Sequence, residues 1–482
     1  MGPILSPTSQ TEKVLCVDLD GTLIATDLLW ESFLILLKTR AWSLFFLPVW
    51  LLKGKAHFKR QVAARVTLDP ATLPYRKEVL EFLRREKASG REIVLATASD
   101  RRFADNVARH VGLFSAVLAS DGCVNLSGAR KLEAIAHHVG DRRFDYIGDR
   151  KADLPLWQAA SEALLVKPTA RLLKHVQRTN PDPRIVAPRT RSLDHVFKAL
   201  RMHQWVKNSL LFVPLVTSHR IAEADLLLAA VCAFFSFSLC ASSAYVANDL
   251  FDLEADRRHP TKRLRPFASG LLSIRTGLLL MATLLTAGLL IAAFLLPSRF
   301  LTALVLYTVV TTLYSFYLKR MVIADVVVLA GLHTLRVLAG AVAINVPLSS
   351  WLLAFSLFIF ISLAFGKRCS ELSLMEGLGQ VVPKGRSYSV KDRPLLQSVG
   401  IASGYLSALV FALYITSHEV AALYRYPNLL WLVIPFLVYW VTRIWLYIHR
   451  GEMHDDPVVF TLRDWASYAT GAIIGLVILI AH

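Results

Sequence analysis

The sequence predicts a two-domain protein: an N-terminal doubly wound α/β domain with a helical cap insertion, then an all-α polytopic membrane bundle of about nine helices. Short apolar strands alternate with helical segments over the first ~200 residues, as in parallel α/β folds. Apolar runs near membrane-spanning length fill the remainder, and charged residues flank them. We expect the α/β domain at 1–175, its cap at about 24–90, a linker with an amphipathic helix at 176–204, and the membrane domain at 205–482.

The composition indicates a membrane protein that faces the cytoplasm. The chain has 482 residues, of which 54% are hydrophobic, and a formal net charge of +18. Because the basic residues follow the ends of the apolar runs, we expect them to contact anionic lipids rather than nucleic acid. The polar residues 1–13 predict no secretory signal peptide, and the five cysteines have neither metal-binding nor disulfide spacing. The oligomeric state stays open, with a homo-oligomer among the alternatives.

Chemically active residues follow the apolar strands of the N-terminal domain. Asp18 and Asp20 follow the strand at 14–17, Thr97 follows the strand at 93–96, and Asp149 and Asp153 follow the strand at 144–147. Lys131 precedes this last strand. The carboxyl ends of parallel strands meet at one edge of a sheet, so we expect these groups to lie together. An aspartate can attack phosphorus, and a carboxylate two residues on can act as general acid and base. Thr97 and Lys131 suit the transferred phosphoryl group, and Asp149 completes a Mg²⁺ site.

The cap insertion contains an apolar run at 41–53 that is too short to span a membrane. Trp42 and Trp50, with Lys53 and Lys55 beside them, suit a helix that lies in the membrane interface and reaches a lipid-linked substrate. A buried cap helix explains the same pattern equally well.

Nine apolar segments follow the linker, and their flanking charges set the orientation. We place the segments at 206–217, 225–247, 274–296, 300–317, 323–344, 349–366, 397–416, 428–449 and 465–481. With the N-terminus inside, the inner connections carry 15 Lys and Arg residues, whereas the outer ones carry Arg220, Arg299 and Arg425. The positive-inside rule therefore predicts a plasma or inner membrane protein whose N-terminal domain is cytoplasmic.

The inner connection after the second segment reads NDLFDLEADRRHPTKRLRPFASG, residues 248–270. Asp249, Asp252 and Asp256 recur at i, i+3 and i+7, which places three carboxylates on one face of a helix. Such a face repels itself and favours a divalent cation, above all Mg²⁺ shared with substrate phosphates. The candidate phosphate ligands of this segment are Asn248, Arg257, Lys262 and Arg265. The alternative is a charge cluster that only anchors a helix end, although acids followed by bases argue against it.

Further candidate substrate-binding residues lie at or near other membrane boundaries: Lys207, Asn208, Tyr314, Lys319, Asp325, Arg336, Lys367, Arg368 and Glu371. Arg336 follows Asp325 by eleven residues, about three turns, so the two share a helix face. Because an arginine facing lipid is costly, we expect Arg336 to face the bundle interior. A structural salt bridge between Asp325 and Arg336 is the alternative to a substrate site.

The N-terminal residues resemble the haloacid dehalogenase superfamily, whose members are mostly Mg²⁺-dependent phosphatases. The resemblance spans about residues 12–168. It implies that Asp18 is the nucleophile and Asp20 the acid/base, and that Thr97 and Lys131 are the second and third motifs. It also implies metal binding by Asp18, by Asp20 through its carbonyl, and by Asp149, with Asp153 as the supporting acid. A fold kept without activity is the alternative.

The membrane domain resembles the UbiA prenyltransferase superfamily through NDxxDxxxD after an apolar helix. The longer string at 248–270, with YSxxLK, LRxxAG and GKRxxEL further on, is closer to the decaprenyl-phosphate phosphoribosyltransferase branch. Ordinary members carry a second Asp-rich motif on the fifth helix. This sequence has Asp325 there but Leu329 in place of the partner acid, which weakens an aromatic prenyltransferase function.

That branch implies transfer of 5-phosphoribose from its 1-diphosphate (PRPP) to a polyprenyl phosphate, with Mg²⁺ on the Asp-rich segment. The fused phosphatase-like domain suggests removal of the 5-phosphate from the product. Two alternatives remain. One is an aromatic or quinone-precursor prenyltransferase that uses polyprenyl diphosphate. The other is a non-catalytic membrane scaffold or transporter with a regulatory phosphatase domain.

Overall fold

The computed structural model describes residues 13–188, 193–347, 349–377, 388–417, 420, 424–453, 457–461 and 463–482. The chain forms two compact units. Unit 1 comprises Met1–Leu200 and Tyr245–Leu280, and unit 2 comprises Arg201–Ala244 and Met281–His482. The Asp-rich segment therefore belongs to the same compact unit as the N-terminal domain, which the sequence did not predict.

Unit 1 is built on a six-stranded parallel sheet of order β3-β2-β1-β4-β5-β6. The strands are β1 (Val14–Val17), β2 (Ile93–Asp100), β3 (Ala116–Ser120), β4 (Phe144–Gly148), β5 (Ala163–Val166) and β6 (Arg184–Ala187). Leu15 and Val17 pack into the core on one face, and Val14 and Cys16 pack on the other. Because both faces are covered, the strands are continuous apolar runs. β1 lies between β2 and β4, so the chain reverses direction across the sheet at β1 and opens a crevice there.

The sheet extends past residue 175, where the sequence placed the end of the domain. β6 lies in the segment taken as a linker, and it pairs in parallel with β5. Its four residues stand between prolines in a basic stretch, so neither length nor composition distinguished this edge strand from a loop. The prediction of a linker at 176–204 is therefore wrong for its first part.

Short helices connect the strands and build the cap. They are α1 (Leu28–Thr39), α2 (Leu47–Leu52), α3 (Lys55–Ala63), α4 (Lys77–Ala88), α5 (Arg101–Val111), α6 (Ala129–Val139), α7 (Leu154–Ala159), α8 (Ala170–Val176) and α9 (Asp194–Leu200). Asp27 caps α1 by accepting a hydrogen bond from the Leu29 amide, and Asp100 caps α5 in the same way. α1 thus starts close behind the polar loop that follows β1.

The apolar run of the cap folds as a 3₁₀ helix, Ala41–Phe46, followed by α2. Trp50 is buried and lies under Arg65, so part of the run packs into the cap. Most of the other large apolar side chains are exposed: Trp42, Phe45, Phe46, Val49, Leu51 and Leu52. Large contiguous apolar surface on a soluble domain marks an interaction surface.

Unit 2 and the inserted segment of unit 1 consist of helices: α10 (Val213–Thr217), α11 (Ala224–Phe251), α12 (Leu253–Arg258), α13 (Ile274–Leu295), α14 (Ser298–Phe316), α15 (Ala324–Ala343), α16 (Ser350–Gly377), α17 (Arg393–Ile415), α18 (Val433–Arg450), α19 (Pro457–Thr461) and α20 (Trp465–Ala481). Among the described residues, seven helices are long and apolar enough to cross a membrane: Ala224–Phe251, Ile274–Leu295, Ser298–Phe316, Ala324–Ala343, Ser350–Leu374, Val390–Ile415 and Pro427–Arg450. The two other predicted segments are shorter. Residues 206–217 form part of the 3₁₀ helix Met202–Phe212 and then α10, and α20 has 17 residues.

α15 packs against the 3₁₀ helix Met202–Phe212 through a glycine of the LRxxAG motif. A Cβ on Gly340 would lie 2.1 Å from the carbonyl oxygen of Leu211 and 2.8 Å from its carbonyl carbon. Both are backbone atoms, which cannot rotate away as a side chain does. The motif glycine is therefore required for this close approach.

We expect Gly340→Ala to lower the unfolding temperature of the purified protein, because overpacking at a rigid contact costs about 1–3 kcal/mol. Gly331→Ala is the matched control, since Gly331 lies on the same helix and a Cβ there would meet nothing within 4 Å. Thermal unfolding in detergent, followed by fluorescence, compares the two variants. Equal unfolding temperatures of the two variants would show that α15 and the 3₁₀ helix can move apart without a loss of stability.

Candidate functional site

A cluster of buried charged groups occupies the carboxyl edge of the sheet in unit 1. Asp18 comes directly after β1, and its Oδ1 accepts a hydrogen bond from Lys131 Nζ at 2.9 Å. Lys131 also donates to the hydroxyl of Tyr146 at 2.9 Å and lies 3.4 Å from Asp153 Oδ1. Burial alone would lower the pKa of Lys131, but the carboxylates of Asp18 and Asp153 raise it, so the ammonium stays charged. A charged lysine beside a buried carboxylate can neutralise a bound phosphoryl group.

Asp20 lies two residues after Asp18 and has a different environment. Its Oδ1 accepts the Leu28 amide at 2.8 Å, and its Oδ2 accepts the hydroxyl of Ser99. Burial raises the pKa of Asp20 to about 6, the Asp27 charge adds to the rise, and the two hydrogen bonds oppose it. A carboxyl group with a pKa near neutrality can both give and take a proton, as a general acid and base must.

The donor set at this edge fits a divalent cation. Asp18, Asp149 and Asp153 each offer a carboxylate oxygen, and these three atoms lie within 4.8 Å of one another. Gly21 has φ +83°, and a Cβ there would lie 2.2 Å from Asp149 Oδ2, so only glycine leaves room for this carboxylate. Burial raises the pKa of Asp149 to about 7 against the lowering effect of Arg150, and the charges of Asp18 and Asp153 add to the rise. Oxygen ligands of this kind suit Mg²⁺.

One predicted residue and three unpredicted ones complete the edge. Thr97 is fully buried, and its hydroxyl accepts the Ser99 amide at 3.0 Å. Ser99, Tyr146 and Arg150 were not predicted as site residues. Ser99 was recognisable as a polar residue two positions after Thr97, on the same side of the strand. By contrast, the Tyr146 hydroxyl donates to Asp153 from within an apolar strand that predicted only core packing.

The Asp-rich segment of unit 1 contains a break at the middle acid of its motif. α11 ends at Phe251, Asp252 has φ −102° and ψ 15°, and α12 begins at Leu253. The amide of Asp252 still donates to Asn248 O, and that of Asp256 donates to Asp252 O. The expected single helix face is therefore bent at Asp252, which changes where each carboxylate lies.

Asp249 and Asp256 converge on one cation. Arg265 Nη1 lies 3.1 Å from Asp249 Oδ1 and 2.7 Å from Asp256 Oδ2. Both acids are buried, whereas the side chain of Arg265 is partly exposed. Two buried carboxylates directed at one positive charge form a position that suits a cation, and a guanidinium beside them suits phosphate oxygens.

Asp252 has a different partner from the other two acids. Its Oδ1 lies 3.2 Å from Lys38 Nζ, and the same ammonium donates to the carbonyl of Phe251 at 2.8 Å. In the described part of the chain, the set of three carboxylates that converge closely is that of Asp18, Asp149 and Asp153. The structure thus brings together two of the three predicted acids and turns the third towards α1.

The predicted phosphate ligands of this segment have different environments. Arg257 is a correction: its side chain is 7% exposed, its Nη atoms bind Glu31 at 2.9 and 2.6 Å, and its Nε donates to Ala268 O. A guanidinium with these partners is a structural group rather than a phosphate ligand. Lys262 is exposed and Asn248 is half-buried. Of the predicted basic phosphate ligands, Lys262 and Arg265 therefore remain accessible to a substrate.

Unit 2 holds a second polar cluster around Arg336. Its Nε donates to Asn208 Oδ1 at 2.9 Å, its Nη2 to the Tyr307 hydroxyl at 2.9 Å, and its Nη1 to Leu332 O at 2.7 Å. Asn208 in turn donates to Ser238 Oγ. The guanidinium is 4.9 Å from the ring centroid of Tyr307. These contacts explain how an arginine is accommodated within an apolar bundle.

Asp325 pairs with Arg368, rather than with Arg336 as the salt-bridge alternative had it. Arg368 Nε lies 2.7 Å from Asp325 Oδ2, its Nη1 lies 2.7 Å from Glu371 Oε2, and its Nη2 donates to the Tyr314 hydroxyl. Arg368 is 1% exposed. Asp325 and Arg336 lie eleven positions apart and share a face of α15, but Asp325 forms its ion pair with Arg368 on α16. Arg368 thus binds Asp325, Glu371 and Tyr314 in one network, which corrects its prediction as a direct phosphate ligand. Tyr314 and Glu371, predicted as substrate-binding residues, are half-buried partners of this arginine.

The remaining predicted lysines differ in exposure. Lys319 is half-buried in a short 3₁₀ helix, Leu318–Arg320, after α14; Lys367 is half-buried within α16, and Lys207 is 8% exposed. A lysine at a helix end, as Lys319 is, suits contacts with lipid or substrate phosphates. They remain predictions as ligands.

Comparisons with known proteins agree with this two-part architecture. A model of the UbiA prenyltransferase family matches residues 210–372, and a model of haloacid dehalogenase-like hydrolases matches residues 15–158. The decaprenyl-phosphate phosphoribosyltransferase of Corynebacterium glutamicum is 33% identical over 236 residues, which cover 48% of this chain and 70% of that protein. The chain belongs to the UbiA prenyltransferase family. Its N-terminal domain is haloacid dehalogenase-like.

Two further relatives are similar over more of their length. A protein of Sinorhizobium fredii described as "Uncharacterized protein y4nM" is 37% identical over 463 residues, covering 95% of this chain and 89% of that protein. The nodulation protein NoeC of Azorhizobium caulinodans is 36% identical over 288 residues, covering 58% of this chain and 92% of NoeC. This UbiA-family member is therefore a multi-pass membrane transferase with a fused hydrolase-like domain, and the expectation of an enzyme is confirmed.

Proposed function

We propose that this UbiA-family enzyme transfers 5-phosphoribose from PRPP to a polyprenyl phosphate and that its N-terminal domain then removes the 5-phosphate. The products are pyrophosphate, inorganic phosphate and polyprenyl-phosphoryl-ribose. The observation that carries the proposal is the presence, in one chain, of a membrane domain similar to decaprenyl-phosphate phosphoribosyltransferases and a full set of phosphatase-type residues around Asp18. A product bearing a phosphate monoester is a suitable substrate for such a phosphatase.

The transfer step would use the Asp-rich segment of unit 1. Arg265, already fixed by Asp249 and Asp256, presents the rest of its guanidinium to the diphosphate of PRPP, and Lys262 adds a second cation. Mg²⁺ held by Asp249 and Asp256, whose carboxylates converge, would supply charge stabilisation for the departing pyrophosphate. The lipid phosphate is already ionised, so its oxygen attacks C1 of the ribose without a strong general base. The bond from C1 to the pyrophosphate oxygen breaks as the bond to the lipid phosphate forms.

The hydrolytic step would use the edge of the parallel sheet. Asp18 attacks the phosphorus of the 5-phosphate, Lys131 neutralises the phosphoryl oxygens, and Asp20 protonates the leaving ribose oxygen. Asp20 then takes a proton from the water that hydrolyses the aspartyl-phosphate. Asp18, Asp149 and Asp153, with the carbonyl of Asp20, would hold Mg²⁺, which supplies further charge screening.

The exposed apolar surface of the cap supports a membrane-facing position for this domain. Trp42, Phe45 and Leu52 are at least half exposed. Trp42 lies four residues after Lys38, which is bound to the end of the apolar helix α11. Exposed basic residues at Arg40, Lys53 and Lys55 suit anionic lipid headgroups. A cytoplasmic domain that rests on the inner leaflet could reach a phosphate on a lipid product.

The proposal is tested with the full chain in proteoliposomes supplied with PRPP, Mg²⁺ and a polyprenyl phosphate. We expect lipid mass spectrometry to show polyprenyl-phosphoryl-ribose, with one pyrophosphate and one inorganic phosphate released per product. Addition of EDTA should stop the release of pyrophosphate. Product formed from polyprenyl diphosphate and an aromatic acceptor without PRPP would contradict the proposal.

A further inference from the structure

Within unit 1, helix α1 of the N-terminal domain is joined to the Asp-rich segment by a buried ion pair. Glu31 and Arg257 form two hydrogen bonds, at 2.6 and 2.9 Å, and their side chains are 4% and 7% exposed. The third nitrogen of Arg257 donates to the carbonyl of Ala268, which lies eleven residues further along the segment. Because a bidentate pair fixes orientation as well as distance, Glu31 sets the position of α12 and of the loop after it.

The last turn of α1 makes a second contact with the segment. Lys38 donates to the carbonyl of Phe251, the last residue of α11, and lies 3.2 Å from the carboxylate of Asp252. The bend between α11 and α12 falls at Asp252. One ammonium therefore binds the last residue of α11 and the residue at the bend that separates Asp249 from Asp256.

The first turn of α1 contacts the phosphatase-type site. The amide of Leu28 donates to Asp20, and Leu28 and Lys38 are ten residues apart on the helix, or about 15 Å. The loop between β1 and α1 also meets the end of the segment, because a Cβ on Gly270 would lie 2.4 Å from Cβ of Ala25. Gly270 also has φ +71°, so both this close contact and the backbone conformation favour glycine there.

We propose that α1 is a positioning element for the transferase: Glu31 and Lys38 hold the Asp-rich segment in the bent form that presents Asp249, Asp256 and Arg265 to the donor diphosphate. The inference rests on the proposed role of that segment in binding PRPP. If α1 has this role, the transfer reaction depends on the folded phosphatase domain but not on the phosphatase reaction. Neither Glu31 nor Lys38 touches the reacting atoms.

The docking is tested first without any measurement of activity. The segment contains trypsin sites after Arg257, Arg258, Lys262 and Arg263. We expect Glu31→Gln and Lys38→Met in the full-length protein to speed trypsin cleavage there at least about fivefold, because cleavage follows the population of the released segment. Glu81→Gln and Lys87→Met, two exposed positions on α4, are the matched controls and should be cut at the wild-type rate.

The positioning role is tested by kinetics. We expect Glu31→Gln to raise the KM for PRPP or lower kcat for transfer by at least about tenfold, while hydrolysis of p-nitrophenyl phosphate stays within twofold of wild type. If Glu31→Gln fails to fold, Lys38→Met provides the same comparison. The exchanged pair Glu31→Arg with Arg257→Glu should recover part of the lost transfer rate, because it restores opposite charges at the same two positions.

Three outcomes are decisive. Unchanged trypsin cleavage in both Glu31→Gln and Lys38→Met would overturn the docking. Faster cleavage with wild-type transfer kinetics would overturn the positioning role. A wild-type protein that cannot use PRPP would count against the proposed function alone, and the trypsin comparison would still decide whether α1 holds the segment.

Discussion

Asp18→Asn is expected to make polyprenyl-phosphoryl-5-phosphoribose accumulate in place of its dephosphorylated product. The amide has nearly the volume of the carboxylate and can still meet Lys131, so the sheet edge should keep its fold. It cannot form an aspartyl-phosphate, and loss of a covalent nucleophile costs on the order of a thousandfold or more in rate. Transfer should continue, because the residues proposed for it lie in the Asp-rich segment. Mass spectrometry of lipids after incubation with PRPP, Mg²⁺ and polyprenyl phosphate measures both species.

Asp141→Asn is the control for this variant, since Asp141 is an exposed acid outside the cluster. It should give the wild-type ratio of the two lipids. If Asp18→Asn still releases inorganic phosphate at the wild-type rate, the N-terminal domain does not hydrolyse the transfer product. A loss of pyrophosphate release in the same variant would show instead that the two reactions share this carboxylate.

The phosphatase-type site was predictable because parallel sheets carry their polar residues in a fixed place. Asp18, Thr97 and Asp149 each follow or end a short apolar strand, and parallel strand order brings such ends to one edge. Lys131 was predictable from the order of the motifs along the chain, and in the structure its ammonium forms an ion pair with Asp18. Ser99 and Tyr146 were missed because a hydroxyl in or after an apolar strand predicts nothing by itself.

The environment of the Asp-rich segment was not predictable from its own residues. The i, i+3 and i+7 spacing of Asp249, Asp252 and Asp256 predicted one helix face. The helix instead bends at Asp252, because tertiary contacts override local periodicity. The partner of Asp252 is Lys38 and that of Arg257 is Glu31, each more than two hundred positions away. No local pattern in the sequence specifies a pair at such a distance. The same reason explains why the salt-bridge alternative paired Asp325 with Arg336 rather than with Arg368 on the next helix.

Asp249→Asn is expected to lower the rate of 5-phosphoribose transfer by at least about a hundredfold, the usual cost of removing one preorganised electrostatic group at a transition state. Asp249 is buried and shares Arg265 with Asp256, so the amide leaves Arg265 held at 2.7 Å by the second acid. The segment should therefore keep its position, and the loss should reflect one missing negative charge. A higher Mg²⁺ concentration should restore part of the rate if that charge helps to hold the metal. Pyrophosphate release from PRPP measures the effect.

Asp225→Asn separates this effect from a general change in the helix, because Asp225 is an exposed acid in the first turn of the same α11. It should transfer at the wild-type rate. Hydrolysis of p-nitrophenyl phosphate should be equal in both variants, since Asp249 contacts neither Asp18 nor its partners among the described hydrogen bonds and ion pairs. Wild-type transfer by Asp249→Asn would mean that the buried acids only anchor Arg265. The donor diphosphate would then have to bind elsewhere, with Lys207, Lys319 and Lys367 as the next residues to substitute.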